Sequence, residues 1–302
     1  MEQVKKNSDF WYHVAAFAMI LVWGVSFLNT RVLLDAGLTP TEIFVARFTI
    51  AYLSLLVMCR FKVRYTGWRD ELLFVVCGIA GGSAYFIAEN TALELTLISD
   101  VAVLVSTAPL TTALMGAIFY RDERITLMTF LGMIIAFIGS VMLALKDGLV
   151  WGDSILGDLL ALLAAFVWAF YSMALKRLNR TYTTLFITRK LFFYGVVSAL
   201  PFLAMQDTPI DWSAFRRPEV WGNLLYLGFI CSLAAYFIWG ITVKRIGAVR
   251  ASNYFYLSPI ISMIAAAVWF GERTTMVAYI GCMLILAGVI IAEKFKRKPA
   301  NQ

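Results

Sequence analysis

Ten apolar runs of helix length follow one another along this chain with little between them. They lie at about 11–34, 40–60, 71–95, 98–120, 125–145, 155–178, 182–205, 219–243, 248–270 and 275–293. A helix needs about 20 mainly apolar residues to cross the hydrocarbon core of a bilayer. In that medium every backbone N–H and C=O must be paired within the segment, so such runs are confined to a helical bundle. Composition agrees: 61% of residues are hydrophobic, 15% are charged and the mean hydropathy is +0.78. A soluble domain carries about 25% charged residues. The chain therefore reads as an all-α polytopic membrane protein with ten transmembrane helices. The first run follows Lys5 and Lys6 in the manner of a signal peptide. It exceeds the length of a signal peptide's apolar core and no small-residue cleavage site follows, so it is kept as a mature span.

The two halves repeat. Glu123, Arg124, Thr126, Gly132 and Gly139 recur as Glu272, Arg273, Thr275, Gly281 and Gly288, each 149 residues later. Pro109 and Pro259 precede the two glutamates by 14 and 13 residues. A proline-centred span, a short Glu-Arg-x-Thr turn and a span with glycines seven apart resemble the EamA domain of the drug/metabolite transporter (DMT) superfamily. The resemblance covers roughly residues 12 to 293 and sees the domain twice, which divides the chain into repeats at 1–147 and 148–302. It implies a multi-pass protein of a bacterial-type cytoplasmic (inner) membrane, with a lipid bilayer around it and no cofactor. It also implies a secondary transporter, an exporter of small metabolites such as amino acids. Efflux of drug-like organic cations and carriage of a lipid-linked substrate stay open as alternatives. A membrane-embedded enzyme would need a nucleophile–base pair or a metal cluster, and neither pattern is present in the sequence.

Charge orients the bundle. With the N-terminus in the cytoplasm, eighteen of the twenty-six Lys and Arg residues fall in cytoplasmic segments and five in external ones. Arg47, Arg189 and Lys190 fall within spans. Such a bias places both termini inside and accounts for the net charge of +7 without nucleic acid. Five spans per repeat is an odd number, so the second repeat must sit upside down relative to the first. Inverted repeats enclosing a midplane site are a common secondary-transporter architecture. Oligomeric state stays open, a monomer included.

Candidate site residues come from matching the halves. Trp23 and Trp168 hold equivalent places in the first and sixth spans, and each packs against helices or walls a cavity. Tyr85 and Tyr236 match in the third and eighth, where Glu89 stands opposite Gly240 and Trp239 lies nearby. Glu89 and Asn90 have three readings: an ion pair with Arg47, a protonatable coupling site, or a contact to a substrate amine. Arg47 and Arg189 are matched intramembrane cations, which either snorkel and bind carbonyls or meet substrate. The second half offers no mid-span acid to neutralise Arg189 or Lys190, so Arg189, the better fork of the two, either receives a substrate carboxylate or phosphate or binds helix-end carbonyls. Tyr254 and Tyr256 flank the second proline, and Pro109 and Pro259 are expected to bend their helices as structural hinges. The glycine pairs are expected to be packing seams. His13 and the four cysteines read as structural.

Overall fold

A computed structural model describes residues 2–59, 65–96, 98–120, 125–144, 154–206, 209–270 and 275–295. The two Glu-Arg turns (Glu123–Arg124 and Glu272–Arg273), the basic stretch from Arg60 to Arg64 and most of the segment expected to link the repeats lie outside the described residues. The first half contains α1 (Glu2–Asp35) and α2 (Pro40–Met58), then α3 (Trp68–Gly78), which runs through a π-helical turn at Ile79–Ser83 into α4 (Ala84–Leu95). It closes with α5 (Ile98–Val105), α6 (Ala108–Phe119) and α7 (Leu127–Ala144). The second half opens with α8 (Ile155–Leu178) and α9 (Thr184–Ala204). There α10 (Pro218–Leu225) runs through a longer π-helical turn, Tyr226–Ala234, into α11 (Ala235–Ile246). A 3-10 turn at Asn253–Leu257 joins α12 (Ala248–Ser252) to α13 (Ser258–Phe270), and α14 (Met276–Lys294) ends the bundle.

Among the described residues seven helices are long and apolar enough to cross a membrane, including the composite stretches Trp68–Leu95 and Pro218–Ile246. The chain is thus an all-helical, multi-pass membrane protein. Three of the ten runs fall short of that measure: α7 and α14 contain shorter apolar helices, and the 3-10 turn divides the ninth run. Sequence logic is plain at the start of α2. Thr39 Oγ1 accepts from the Glu42 amide at 3.2 Å, the Glu42 carboxylate accepts from the Thr39 amide at 2.8 Å, and Pro40 occupies the first turn.

The irregularities recur at matching places. Each half has a π-helical turn in its third span and an interruption in its fourth. At the first interruption Ser106 and Thr107 donate their hydroxyls back to Val103 O (2.6 Å) and Leu104 O (2.7 Å), while the Thr107 amide turns to Leu104 O at 3.1 Å. Pro109 and Pro259 stand in the first turn after these breaks. The expectation that they bend a continuous helix is corrected accordingly. A proline in a first turn lacks an N–H that would have no intrahelical partner anyway, so each proline starts a helix instead of kinking one.

Gly132 and Gly139 on α7 face Gly288 and Gly281 on α14. A Cβ on Gly132 would lie 2.7 Å from Gly288 O, and one on Gly139 would lie 2.6 Å from Gly281 O. The first glycine of one repeat thus meets the second glycine of the other, which is the antiparallel crossing an inverted pair requires. Small residues let the two backbones touch, and the seam lies between the halves.

Candidate functional site

Where α1, α4, α8, α11 and the 3-10 turn converge, aromatic side chains from both halves fill the centre. The Trp23 ring lies edge-on to Trp168 at 5.6 Å and to Trp239 at 5.3 Å, and stacks on Phe255 at 5.8 Å. Trp168 also touches Tyr85 at 5.1 Å and Tyr171 at 4.8 Å. Among these rings is a cavity of about 20 Å³. Trp23, Ser26 and Phe27 line it from α1, Tyr85, Phe86 and Glu89 from α4, and Trp168, Tyr236 and Phe255 from the second half. Its size suits a water-sized group.

The π-helical turns clip this centre together. Such a turn withdraws backbone carbonyls from the regular ladder, and here the opposite half supplies the donors. Tyr236 Oη donates to Gly81 O at 2.6 Å, inside the first half's turn. Trp23 Nε1 donates to Cys231 O at 2.9 Å, inside the second half's turn. Arg47 Nε adds a bond to Ser232 Oγ at 3.0 Å. The repeat equivalents of Tyr236 and Trp23 behave differently. Tyr85 Oη donates to Glu89 Oε1 at 2.5 Å, and Trp168 Nε1 is buried with no hydrogen-bond partner among the described residues. A symmetric scaffold therefore carries an asymmetric polar corner formed by Tyr85, Glu89 and Trp168.

Of the candidate residues, the structure brings Trp23, Tyr85, Glu89, Trp168 and Tyr236 to the cavity wall. Trp239 packs behind them in ring contact with Trp168 at 6.0 Å. Asn90 is fully buried and donates to Pro40 O at 3.1 Å, tying α4 to the start of α2. The Tyr254 hydroxyl bonds His13 Nδ1 at 2.8 Å, and the buried Tyr256 lies off the cavity. Arg189 is buried over the Phe186 ring at 5.2 Å, also off the cavity.

Two expectations about charge are corrected. Arg47 and Glu89 form no ion pair: α2 presents Arg47 to Ser232 and to the Phe86 ring at 4.4 Å, while Glu89 is held by Tyr85. One of the two cations of α9 does meet an acid: Lys190 Nζ lies 2.5 Å from Glu71 Oε1 of the first half. Tyr194 donates to the same carboxylate. Looking for a partner within the second half alone misses Glu71. The sequence reading also passes over Phe86 and Phe255 as wall residues.

Similarity to known proteins settles the family. The EamA-like transporter family is matched twice, over residues 10–145 and 155–293. The chain belongs to the EamA-like transporter family. A "Probable terminal-alkyne amino-acid exporter" of Streptantibioticus cattleyicolor is 28% identical over 284 residues, covering 93% of both chains. A "Probable amino-acid metabolite efflux pump" of Escherichia coli is 25% identical over 287 residues, covering 92% of this chain and 93% of its own. An "Uncharacterized transporter" of Archaeoglobus fulgidus is 25% identical over 285 residues. A solved crystal structure, described simply as that of a "protein", superposes with a TM-score of 0.73 at 22% identity, over 93% of this chain and 98% of its own, and so shares the fold. EamA-like membership makes this chain a membrane transporter and not an enzyme, and its aromatic cavity spans the two matched segments.

Proposed function

We propose that this EamA-like protein exports small metabolites, amino acids among them, across a bacterial-type cytoplasmic membrane. It does so with ten spans in two inverted repeats that expose a shared site to one side and then the other. The cavity at the meeting of the halves carries this reading. At about 20 Å³ it falls far below the roughly 300–1,000 Å³ of small-molecule sites, so cargo enters only when the halves part.

Both ends of the bundle are tied across the halves in this conformation. Towards one rim Asn29 Nδ2 donates to Asn223 Oδ1 at 2.6 Å, and Gln206 Nε2 to Glu42 Oε1 at 3.1 Å. Towards the other, Glu71 pairs with Lys190, and Tyr182 Oη donates to Asp70 Oδ2 at 2.5 Å. The conformation is an occluded one. The eighteen-to-five charge bias supports cytoplasmic termini and puts the Asn29 rim outside. The exporter and efflux-pump names of two relatives support amino acids as cargo.

The test is counterflow of labelled amino acids into proteoliposomes holding the purified chain. Saturable uptake of at least one is expected, and uptake no greater than in protein-free vesicles for all twenty would refute the reading. Aromatic walls around a carboxylate also suit drug-like organic cations, for which ethidium efflux from the same vesicles is the check.

A further inference from the structure

The chain shows at one place how it holds an ammonium group away from bulk water. Lys190 Nζ lies 2.5 Å from both carboxylate oxygens of Glu71. It also sits 5.0 Å from the Phe74 ring centre and 5.4 Å from that of Phe186. Tyr194 donates its hydroxyl to the same carboxylate. The set is a carboxylate steadied by a tyrosine, with aromatic faces alongside. Carboxylate and ring quadrupole both attract a cation, and both gain strength where water is excluded.

The central cavity carries the same set. The Glu89 carboxylate accepts the Tyr85 hydroxyl at 2.5 Å, and Trp23, Trp168 and Tyr236 stand around it as walls. None of the lining residues is a lysine, arginine or histidine. Arg47 bonds Ser232, lies over Phe86 and makes no ion pair with Glu89. The space of about 20 Å³ admits a group the size of an ammonium and not a whole amino acid. Building on the transport reading above, we propose that Glu89, walled by Trp23, Trp168 and Tyr236, is an ammonium-binding site, so that cargo is recognised through a cationic amine. Substrates of this class are primary amines and amino acids, and carboxylates without an amine are excluded. Trp168, which lines the same cavity, keeps its buried Nε1 donor without a partner among the described residues.

Two tryptophans in the wall make the site its own reporter. The purified full chain in detergent is titrated with n-butylammonium, with its uncharged analogue 1-butanol and with butyrate, following tryptophan emission. A saturable change with n-butylammonium alone is expected. Glu89→Gln should weaken it at least tenfold while eluting as the unaltered chain does, and Glu89→Asp should retain part of it. Equal responses to n-butylammonium and 1-butanol would overturn the proposal, as would an unchanged titration in Glu89→Gln. The comparison on the unaltered chain decides the matter even where that variant does not fold. Counterflow with the same preparation separates the two readings. Amino-acid counterflow without n-butylammonium binding removes the ammonium site and leaves the transporter's cargo reading standing. Binding without counterflow of any amino acid keeps the site and removes that cargo reading.

Discussion

Trp23 and Trp168 hold equivalent places in the two repeats, yet their indole nitrogens differ in use: one is bonded to Cys231 O and the other has no partner among the described residues. Differences of this kind mark the residues that a duplicated scaffold has turned to separate ends. Lys190 is the second example. It follows Arg189, the match of Arg47 in the repeat, and the intramembrane cations of the two halves are held differently: Arg47 by a serine and an aromatic face, Lys190 by the carboxylate of Glu71. Removing one partner of a buried pair costs about 3–5 kcal/mol, whereas replacing both is often near neutral. Glu71 keeps 17% of its side-chain surface exposed, so Glu71→Gln should cost at most about 3 kcal/mol. Thermal unfolding in detergent should show a lowered midpoint for Glu71→Gln and recovery of much of the loss in Glu71→Gln with Lys190→Met. Additive losses in that cycle would rule out the pairing. The pair was not legible in the sequence, because its members lie 119 positions apart in different repeats and no local pattern joins them. Glu89 was legible as an intramembrane acid, since such a charge in a span calls for a reason. Its tyrosine partner stands one turn before it on the same helix.

At the scale of elements, the helices follow from the apolar runs, and their interruptions were only half visible. Prolines announced that the fourth and ninth spans were special, but the breaks fall before them, at Ser106–Thr107 and in the 3-10 turn. Phe255 lies in that turn. Tyr254, Phe255 and Tyr256 go three separate ways there: towards His13, into the cavity and into the packed interior. The π-helical turns left no sequence signal beyond the small residues Gly81, Gly82 and Ser83. The glycine seam, in contrast, was readable from spacing alone, because seven residues is close to two helical turns. It yields a direct prediction. A Cβ on Gly139 would lie 2.6 Å from Gly281 O and 2.7 Å from Ile285 N, backbone atoms that cannot turn aside. Gly139→Leu should therefore force α7 from α14, at a cost of about 1–3 kcal/mol or more typical of overpacking. Gly222→Leu, with nothing within 4 Å of its Cβ position, should be tolerated. Unfolding midpoints in detergent compare the two, and equal stability would mean that the seam is not close-packed.

For the whole molecule, the proposed motion is a rocking of one repeat against the other, and the two sets of ties define what must break. Asn29 and Asn223 join α1 to α10 at 2.6 Å, while Glu71 and Lys190 join α3 to α9 at 2.5 Å. The first tie is a neutral amide pair, worth about 0.5–1.5 kcal/mol, and the second is charge-assisted and stronger. If the halves alternate, the Asn29 rim parts more readily, and the occluded form should relax towards an outside-open one. Weakening the Glu71 rim should shift that balance inward. Trp212, exposed in the loop before α10, and Tyr65, exposed before α3, give a check on orientation. On the topology proposed, an impermeant thiol reagent applied to intact cells should modify Trp212→Cys and spare Tyr65→Cys. The motion itself is tested by replacing Asn29 and Asn223 with cysteines and joining them with a short bis-methanethiosulfonate linker, which attaches through disulfide bonds. Joined, the outer rim cannot part, so amino-acid counterflow should stop, and it should return when a reductant cleaves the linker. Full counterflow through protein joined at the Asn29 rim would mean that cargo crosses without the halves separating there, and the rocking mechanism would have to be abandoned.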